Sequence, residues 1–148
     1  MKSKVVSDTD VVTYVMVCEP GEDAVAALHE LADREHLEAA SITGLGGFEH
    51  TTIGWYDRAA NDFRRNEVNE PAEVLSLIGD IAEGPDGPSL NVHVVLGLAD
   101  GTTRGGHLLE ATVFPTLEAV VTETPAELRR VLRPGLAVPL IDLDSSES

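Results

Sequence analysis

The sequence predicts an α+β fold, with an antiparallel β-sheet core, one long helix and one short helix. Two patterns lead to this prediction. Only residues 23–36 carry a clear helical hydrophobic period, whereas most of the chain consists of short aliphatic and β-branched runs. Glycine, proline and aspartate separate these runs at short intervals, which is typical of hairpin-linked antiparallel strands. A length of 148 residues, 43% of them hydrophobic, suits one domain.

The N-terminal half is predicted to hold the long helix and four strands. Residues 1–9 are expected to form a flexible polar tail, and one domain extends over 10–143. In the helix, Asp23 suits the N-terminus and the apolar residues share one stripe. Gly46-Gly47 is expected to turn the chain between two strands. The stripe is Ala24, Ala27, Leu28, Leu31 and Ala32, and the strands are 11–18, 39–45, 49–57 and 63–68.

The C-terminal half is predicted to be mostly strands. Asp100-Gly101 is a strong hairpin signal between two of them. Pro125 suits the first position of a short helix over 124–132, and residues 144–148 form an acidic tail. The predicted strands of this half are 73–82, 89–99, 104–114, 115–123 and 134–143.

The charge of the chain is strongly negative. Ten Lys and Arg face 26 Asp and Glu, for a formal net charge of −16. Such a field repels nucleic acid and anionic lipid at low salt. The composition also resembles that of proteins from salt-loving cytoplasms, where high salt screens self-repulsion. With a lone, apolar-flanked Cys18, no secretory signal and no run long enough to span a membrane, we expect a cytoplasmic protein without a membrane partner.

His93 and His107 form the sharpest candidate site. They lie on the two arms of the predicted hairpin, and Asn91 shares the face of His93, opposite the apolar face that must build the core. The hairpin brings the two histidines either directly opposite one another or onto a diagonal, since the loop length is not fixed by the pattern. Directly opposed imidazoles can share a metal, but a zinc site needs three or four ligands. Gly105 and Gly106 allow close backbone approach.

Other candidate motifs have simpler explanations. The glycine-rich TGLGGF (43–48) precedes a strand rather than a helix, so it fits a strand-to-strand connection better than a phosphate-binding loop. No serine has a sequence context that indicates an activating base. Glu110 and Glu118 are candidate carboxylates near the histidines, or else ordinary surface charges.

The hairpin region resembles a known family. HVVLGLADGTTRGGHLLEATVFPTLEAVV (93–121), with GGHLLEA as its most specific block, is similar to the PPC (plants and prokaryotes conserved) domain. SITGLGGFEHTTIGWYD (41–57) and the GED opening at 21–23 match as well, so the likeness covers about residues 10–143. The resemblance implies an α+β fold with an antiparallel sheet, a homotrimer, and a non-enzymatic, DNA-associated or regulatory role.

The resemblance also implies a metal site. Family members that bind metal use three histidines that look like zinc ligands, and the matching positions here are Asn91, His93 and His107. Asn91 weakens the expectation of zinc, because zinc prefers imidazole and thiolate donors. The remaining alternative is a weaker metal site in which Glu110, His50 or water completes the coordination.

Two functions follow from these observations. The first is the DNA-associated role, for which Arg129, Arg130 and Arg133 are the candidate nucleic-acid contacts, although the net charge opposes binding and no AT-hook is present. The second is a small-ligand or metal-binding trimer, or a metal-dependent enzyme, that uses a His93/His107 pocket at a subunit boundary. No combination of acid, base and nucleophile supports the enzyme strongly.

Overall fold

The computed structural model describes residues 1–8, 11–125 and 127–146. Within them, seven strands form one sheet in the order β1-β2-β7-β6-β5-β3-β4, all paired antiparallel, and β8 and β9 form a separate hairpin. The elements are β1 Lys2–Asp8, β2 Val12–Cys18, α1 Ala24–Arg34, β3 Ala39–Asp57, β4 Asp62–Val68, β5 Ala72–Gly84, β6 Gly87–Gly97, β7 Thr103–Glu123, β8 Arg130–Val131 and β9 Leu140–Ile141, with a 3-10 turn at Leu143–Ser145. The predicted sheet-rich α+β class is confirmed. None of the described helices is both long and apolar enough to cross a membrane.

Two long strands organise the sheet. β3 and β7 pair with one another over almost their whole lengths, with register shifts that bend them. β5 and β6 close the gap between the N-terminal half of β3 and the N-terminal half of β7, so the sheet curls around its core. The helix packs against β6 and β7 on the inner face. The core is therefore aliphatic and lies between α1 and the curled sheet.

The two long strands correct two sequence predictions. Gly46-Gly47 is not a turn, and 104–114 and 115–123 are not separate strands, because β3 and β7 each run through these points. The glycines serve close contact instead. A Cβ atom on Gly46 would lie 2.1 Å from the carbonyl oxygen of Thr116, and one on Gly47 would lie 2.4 Å from that of Phe114. The glycine pair thus marks where two backbones press together.

The helix forms as its sequence predicts. Asp23 caps it by accepting a hydrogen bond from the Ala26 amide at 2.7 Å, and its second carboxylate oxygen accepts one from the Ala111 amide of β7 at 3.2 Å. One side chain thus caps the helix and ties its start to the sheet. The buried residues are the predicted stripe of Ala24, Ala27, Leu28, Leu31 and Ala32.

Both chain ends differ from the prediction. The expected tail at 1–9 is wrong over Lys2–Asp8, which pairs with β2 as an edge strand. The short helix over 124–132 is also wrong in its described part; Ala126 lies outside the described residues. Leu128 accepts a hydrogen bond from the Glu83 amide, and the next residues continue extended into β8. Of the strand expected at 134–143, only Leu140–Ile141 pairs. The acidic tail predicted over 144–148 begins within the 3-10 turn, and its residues 147–148 lie outside the described part of the chain.

Arg130 explains why this C-terminal segment lies flat on the sheet. Its side chain is 5% exposed, forms an ion pair with Asp80 of β5 and donates to the Ser89 carbonyl of β6. The neighbouring Arg129 makes a more open ion pair with Glu83 at 3.1 Å. A buried guanidinium with two partners anchors the segment, and an extended backbone is needed to place it there.

The outer face of the sheet, which α1 does not cover, is apolar over a wide area. Val15, Val120, Thr43, Ile78 and His93 form one cross-strand row on it. Ile78 is 57% exposed and Leu45 is 61% exposed. A shallow depression of about 470 Å³, called here the outer depression, is lined by Val15, Leu45, Leu75, Ile78, Glu118 and Val120 among others. Contiguous apolar surface of this kind marks an interface or a ligand groove.

The two adjacent arginines give a test of the C-terminal anchor. Arg130→Ala is expected to lower the free energy of unfolding by about 2 kcal/mol or more, because it leaves Asp80 without its buried partner. Arg129→Ala, at an exposed pair, is expected to cost less than about 1 kcal/mol. Urea unfolding of both variants measures the difference, and equal losses would contradict the anchoring role of Arg130.

Candidate functional site

The two hairpin histidines lie directly opposite one another. His93 of β6 pairs with His107 of β7, and five residues from Leu98 to Thr102 connect the strands. The ring centroids are 5.1 Å apart and the rings are nearly perpendicular. The register that the sequence left open is thus the direct one. Both side chains project from the outer face, where Ile78 is the other cross-strand neighbour of His93.

This separation fits two imidazoles on one metal ion. A zinc–nitrogen bond of about 2.0–2.1 Å, a ring radius of about 1.2 Å and tetrahedral geometry put two ligating ring centroids about 5 Å apart. The histidine pair has this spacing between centroids. The donor set therefore suits zinc or a similar ion as half of a site, with further ligands still needed.

An aromatic wall supports His107. The Phe63 ring stacks on the His107 ring at 4.6 Å and 21°, and Tyr56 meets Phe63 edge-on at 5.5 Å. Gly54 lies across from His107, and a Cβ there would come within 2.9 Å of the Phe63 ring. The missing side chain at Gly54 gives Phe63 room to reach the histidine. Sequence reasoning missed this wall, although a lone Phe in a polar strand and a glycine inside a strand were its signals.

The surroundings of His107 favour its neutral form. Burial lowers the pKa of His107 below its ordinary value, and the adjacent His93 lowers it further. A neutral imidazole is the form that binds metal, so fewer protons must leave His107 before an ion can bind. Burial and the neighbouring imidazole thus keep His107 in the form that can coordinate a metal.

The other predicted ligands do not join the pair. Glu110 forms an ion pair with Arg65 at 3.3 Å, and His50 lies 3.2 Å from the Glu67 carboxylate. Asn91 lies two residues before His93 on the same face, across from Asp80. In the described part of the chain, no three His, Cys, Asp or Glu side chains gather closely enough to hold a metal. One subunit therefore offers two imidazoles, with the Asn91 amide nearby.

The three arginines proposed for nucleic-acid contact do not form one open patch. The Arg130 guanidinium is buried against Asp80, and Arg129 is engaged by Glu83. Arg133 is exposed beyond β8, in the turn before β9. Two of the three cations thus have carboxylate partners within their own chain, which reduces the positive field available to a phosphate backbone.

The lowered pKa of His107 predicts a pH effect on stability. Below about pH 6.5 an unfolded histidine binds a proton that the folded site resists, so the free energy of unfolding falls as pH drops from 6.5 toward the folded pKa. His107→Gln should lose this part of the decline between about pH 7.5 and 5.0. Urea unfolding with chelator present measures it.

His29→Gln, at an exposed helix position, is the matched control for this measurement. It should keep the wild-type decline in stability. If His107→Gln declined as steeply as the wild-type protein, burial of the neutral imidazole would not be the cause.

One curated relative matches part of its own length to most of this chain. The chain is 29% identical over 126 residues to the Bifunctional protein GlmU of Synechococcus sp. (strain JA-2-3B'a(2-13)), and the matched region covers 84% of this chain and 18% of that protein. The chain thus spans less than a fifth of that relative's length.

Two solved structures are similar over most of both chains. A protein of Ralstonia eutropha JMP134, described as a "Putative DNA-binding protein", is 29% identical with a TM-score of 0.80 and covers 87% of this chain and 90% of that one. The Metal-containing Protein AF0104 from Archaeoglobus fulgidus is 27% identical with a TM-score of 0.81, covering 95% and 96%. Residues 6–125 match the Plants and Prokaryotes Conserved (PCC) domain, so the chain belongs to that family, as the GGHLLEA block predicted.

Proposed function

We propose that this protein is a non-enzymatic, metal-binding homotrimer whose site is built on His93 and His107. The observation that carries the proposal is the direct pairing of two imidazoles, 5.1 Å apart, at the margin of an exposed apolar sheet face. Two imidazole donors suit zinc and similar ions, and we take zinc as the ion to test. The negative charge favours the cytoplasm of a cell with high internal salt as the setting. A regulatory role is then exercised through the bound ion, a ligand or a protein partner.

The similarity to AF0104 supports metal binding. That protein is described as metal-containing, and its fold matches this chain closely at 27% identity. In this chain His93 and His107 would hold the ion, which would supply a positive charge and an open coordination position for a ligand. Asn91 is a poor zinc donor, so the remaining coordination is left to groups outside the single subunit.

The outer face supports assembly. Leu45, Ile78 and Val120 lie on it and are 61%, 57% and 41% exposed, an arrangement that costs free energy in water. Oligomers of identical chains cover such faces by closed symmetry, and a ring of three requires the same interface three times. The trimer that the family resemblance implies would bury this surface and bring the histidine pair to a subunit boundary.

Metal analysis tests the site. Wild-type protein loaded with zinc and passed through a desalting column is expected to retain stoichiometric zinc, measured by atomic emission. His93→Ala and His107→Ala should weaken zinc affinity at least about 10-fold, since even residues that only orient a ligand cost that much. Neither side chain belongs to the core, so both variants should fold, and zinc is measured on the trimer fraction that light scattering identifies.

His50→Ala is the control, because His50 is paired with Glu67 away from the site. It should bind zinc as the wild-type chain does. Zinc retention by the His93 and His107 variants, or no zinc on the wild-type protein, would overturn the proposed function.

Direct DNA binding is the second candidate, favoured by the description of the Ralstonia protein. Charge argues against it, since three chains would carry 3 × −16 = −48. We expect no shift of duplex DNA at about micromolar protein in about 50 mM salt, measured on gels. Tight binding that weakens at about 200 mM salt and vanishes in an Arg129→Ala/Arg133→Ala variant would establish direct contact instead.

A further inference from the structure

The carboxylate of Glu118 stands unpaired in the apolar outer face. Glu118 extends from the C-terminal half of β7 into the outer depression, where it is the one charged residue among the described lining residues. Its cross-strand neighbours are Val17 and Leu45. Within the described ranges, no ion pair or hydrogen bond engages its side chain. An acidic group on a surface that favours burial needs a partner of opposite charge once that surface is covered.

Glu118 needs a partner of opposite charge if a second subunit covers the outer face. A carboxylate that leaves water without a cation or hydrogen-bond donor strongly opposes association. The arginines near the face are already engaged, Arg65 by Glu110 and Arg130 by Asp80. Lys2 lies in the same cross-strand row as Glu118, and its ammonium group pairs with Glu19 at 2.6 Å. A metal ion held by the histidine pair would be a further cation on this face, and that ion would lack a carboxylate.

Glu118 cannot reach the histidines of its own subunit. The cross-strand path from Glu118 to His93 runs from β7 through β3 and β5 to β6, three strand spacings, or about 14 Å. A metal–oxygen bond is about 2 Å long. In a cyclic trimer, however, the contacts are heterologous, so one part of a face meets a different part of the same face on the next subunit. The two halves of the site can then meet across the boundary.

We propose that Glu118 of one subunit is the third protein ligand of the metal held by His93 and His107 of the neighbouring subunit. The inference rests on the proposed function and adds the group that completes the site. Two neutral imidazoles and one carboxylate form a three-ligand zinc set that leaves a fourth position for water or a small anionic ligand. This contact between subunits would give the metal its third protein ligand and would give the Glu118 carboxylate a cationic partner.

The first test compares Glu118→Gln with Glu110→Gln. Glu118→Gln keeps the shape of the side chain and should lower zinc affinity at least about 10-fold, measured with a competing chelator. Glu110→Gln alters a carboxylate that already binds Arg65 and should leave zinc affinity unchanged. Equal zinc affinity in Glu118→Gln and wild-type trimers would overturn the inference while leaving the proposed function standing. A wild-type trimer without zinc would overturn both.

Mixed trimers test whether the ligand comes from the neighbour. Glu118→Gln and His107→Ala chains carrying different affinity tags are co-expressed, and trimers holding both tags are isolated. Each such ring contains one boundary with an intact histidine pair facing an intact Glu118, so about one third of the wild-type zinc should return. Rings of either variant alone should bind little. Failure of the mixed rings to regain zinc would contradict a ligand shared between subunits.

Assembly is the remaining control. Light scattering should show that Glu118→Gln still forms trimers. If it does not assemble, Glu118→Asp keeps the charge on a shorter side chain, and its trimers should bind zinc more weakly than wild type. Wild-type zinc affinity in Glu118→Asp would then overturn the inference, because a ligating oxygen cannot shift by a methylene without loss.

Discussion

The pairing of β3 with β7 is the constraint on which the rest of this structure depends. The two strands are joined at both ends of their length, and between the two paired regions their backbones come so close that Gly46 and Gly47 cannot carry side chains. β5 pairs with the N-terminal half of β3, and β6 pairs with the N-terminal half of β7. Because these two halves lie at opposite ends of the β3–β7 pair, the sheet must curl to join them. The curl produces an inner face that one helix can cover and an outer face that it cannot.

The same constraint positions the histidines. The N-terminal half of β7 is held between β6 and β3, and the glycines before His107 stand where both neighbours approach. A Cβ on Gly106 would lie 2.6 Å from the Gly54 carbonyl oxygen, and one on Gly105 would lie 2.9 Å from that of Val94. The two glycines of the GGH motif are therefore a packing requirement: they let β7 fit between its neighbours, and the strand then places His107, the proposed metal ligand, against His93 and Phe63.

Local signals predicted the parts of this protein that local physics decides. The stripe of α1 and its Asp23 cap follow from helical period and capping, and both are confirmed. The same local signals predicted the two long strands wrongly. Gly46-Gly47 and Pro115 resemble chain breaks when the partner strand is unknown, so these signals divide β3 and β7 each in two. The helix predicted after Glu123 is wrong for a similar reason. Pro125 favours a helix locally, whereas the ion pair with the distant Asp80 holds Arg130 in an extended segment. The hairpin predicted that the two histidines lie close together but left their register open between direct and diagonal. Phe63 reaches His107 because Gly54 leaves space, and this relation across three strands has no local signal.

Charge and assembly act against one another in the proposed trimer. Three chains of −16 repel one another, and apolar burial on the outer face and screening by salt offset that repulsion. At about 1 M salt the Debye length is about 3 Å, so distant carboxylates hardly interact, whereas groups in direct contact with a metal are screened much less. A carboxylate such as Glu118 can then be unfavourable for association at long range and favourable at the boundary, where it meets a cation. On this view the bound ion determines which acidic groups can be buried between subunits, so metal binding and assembly stabilise one another.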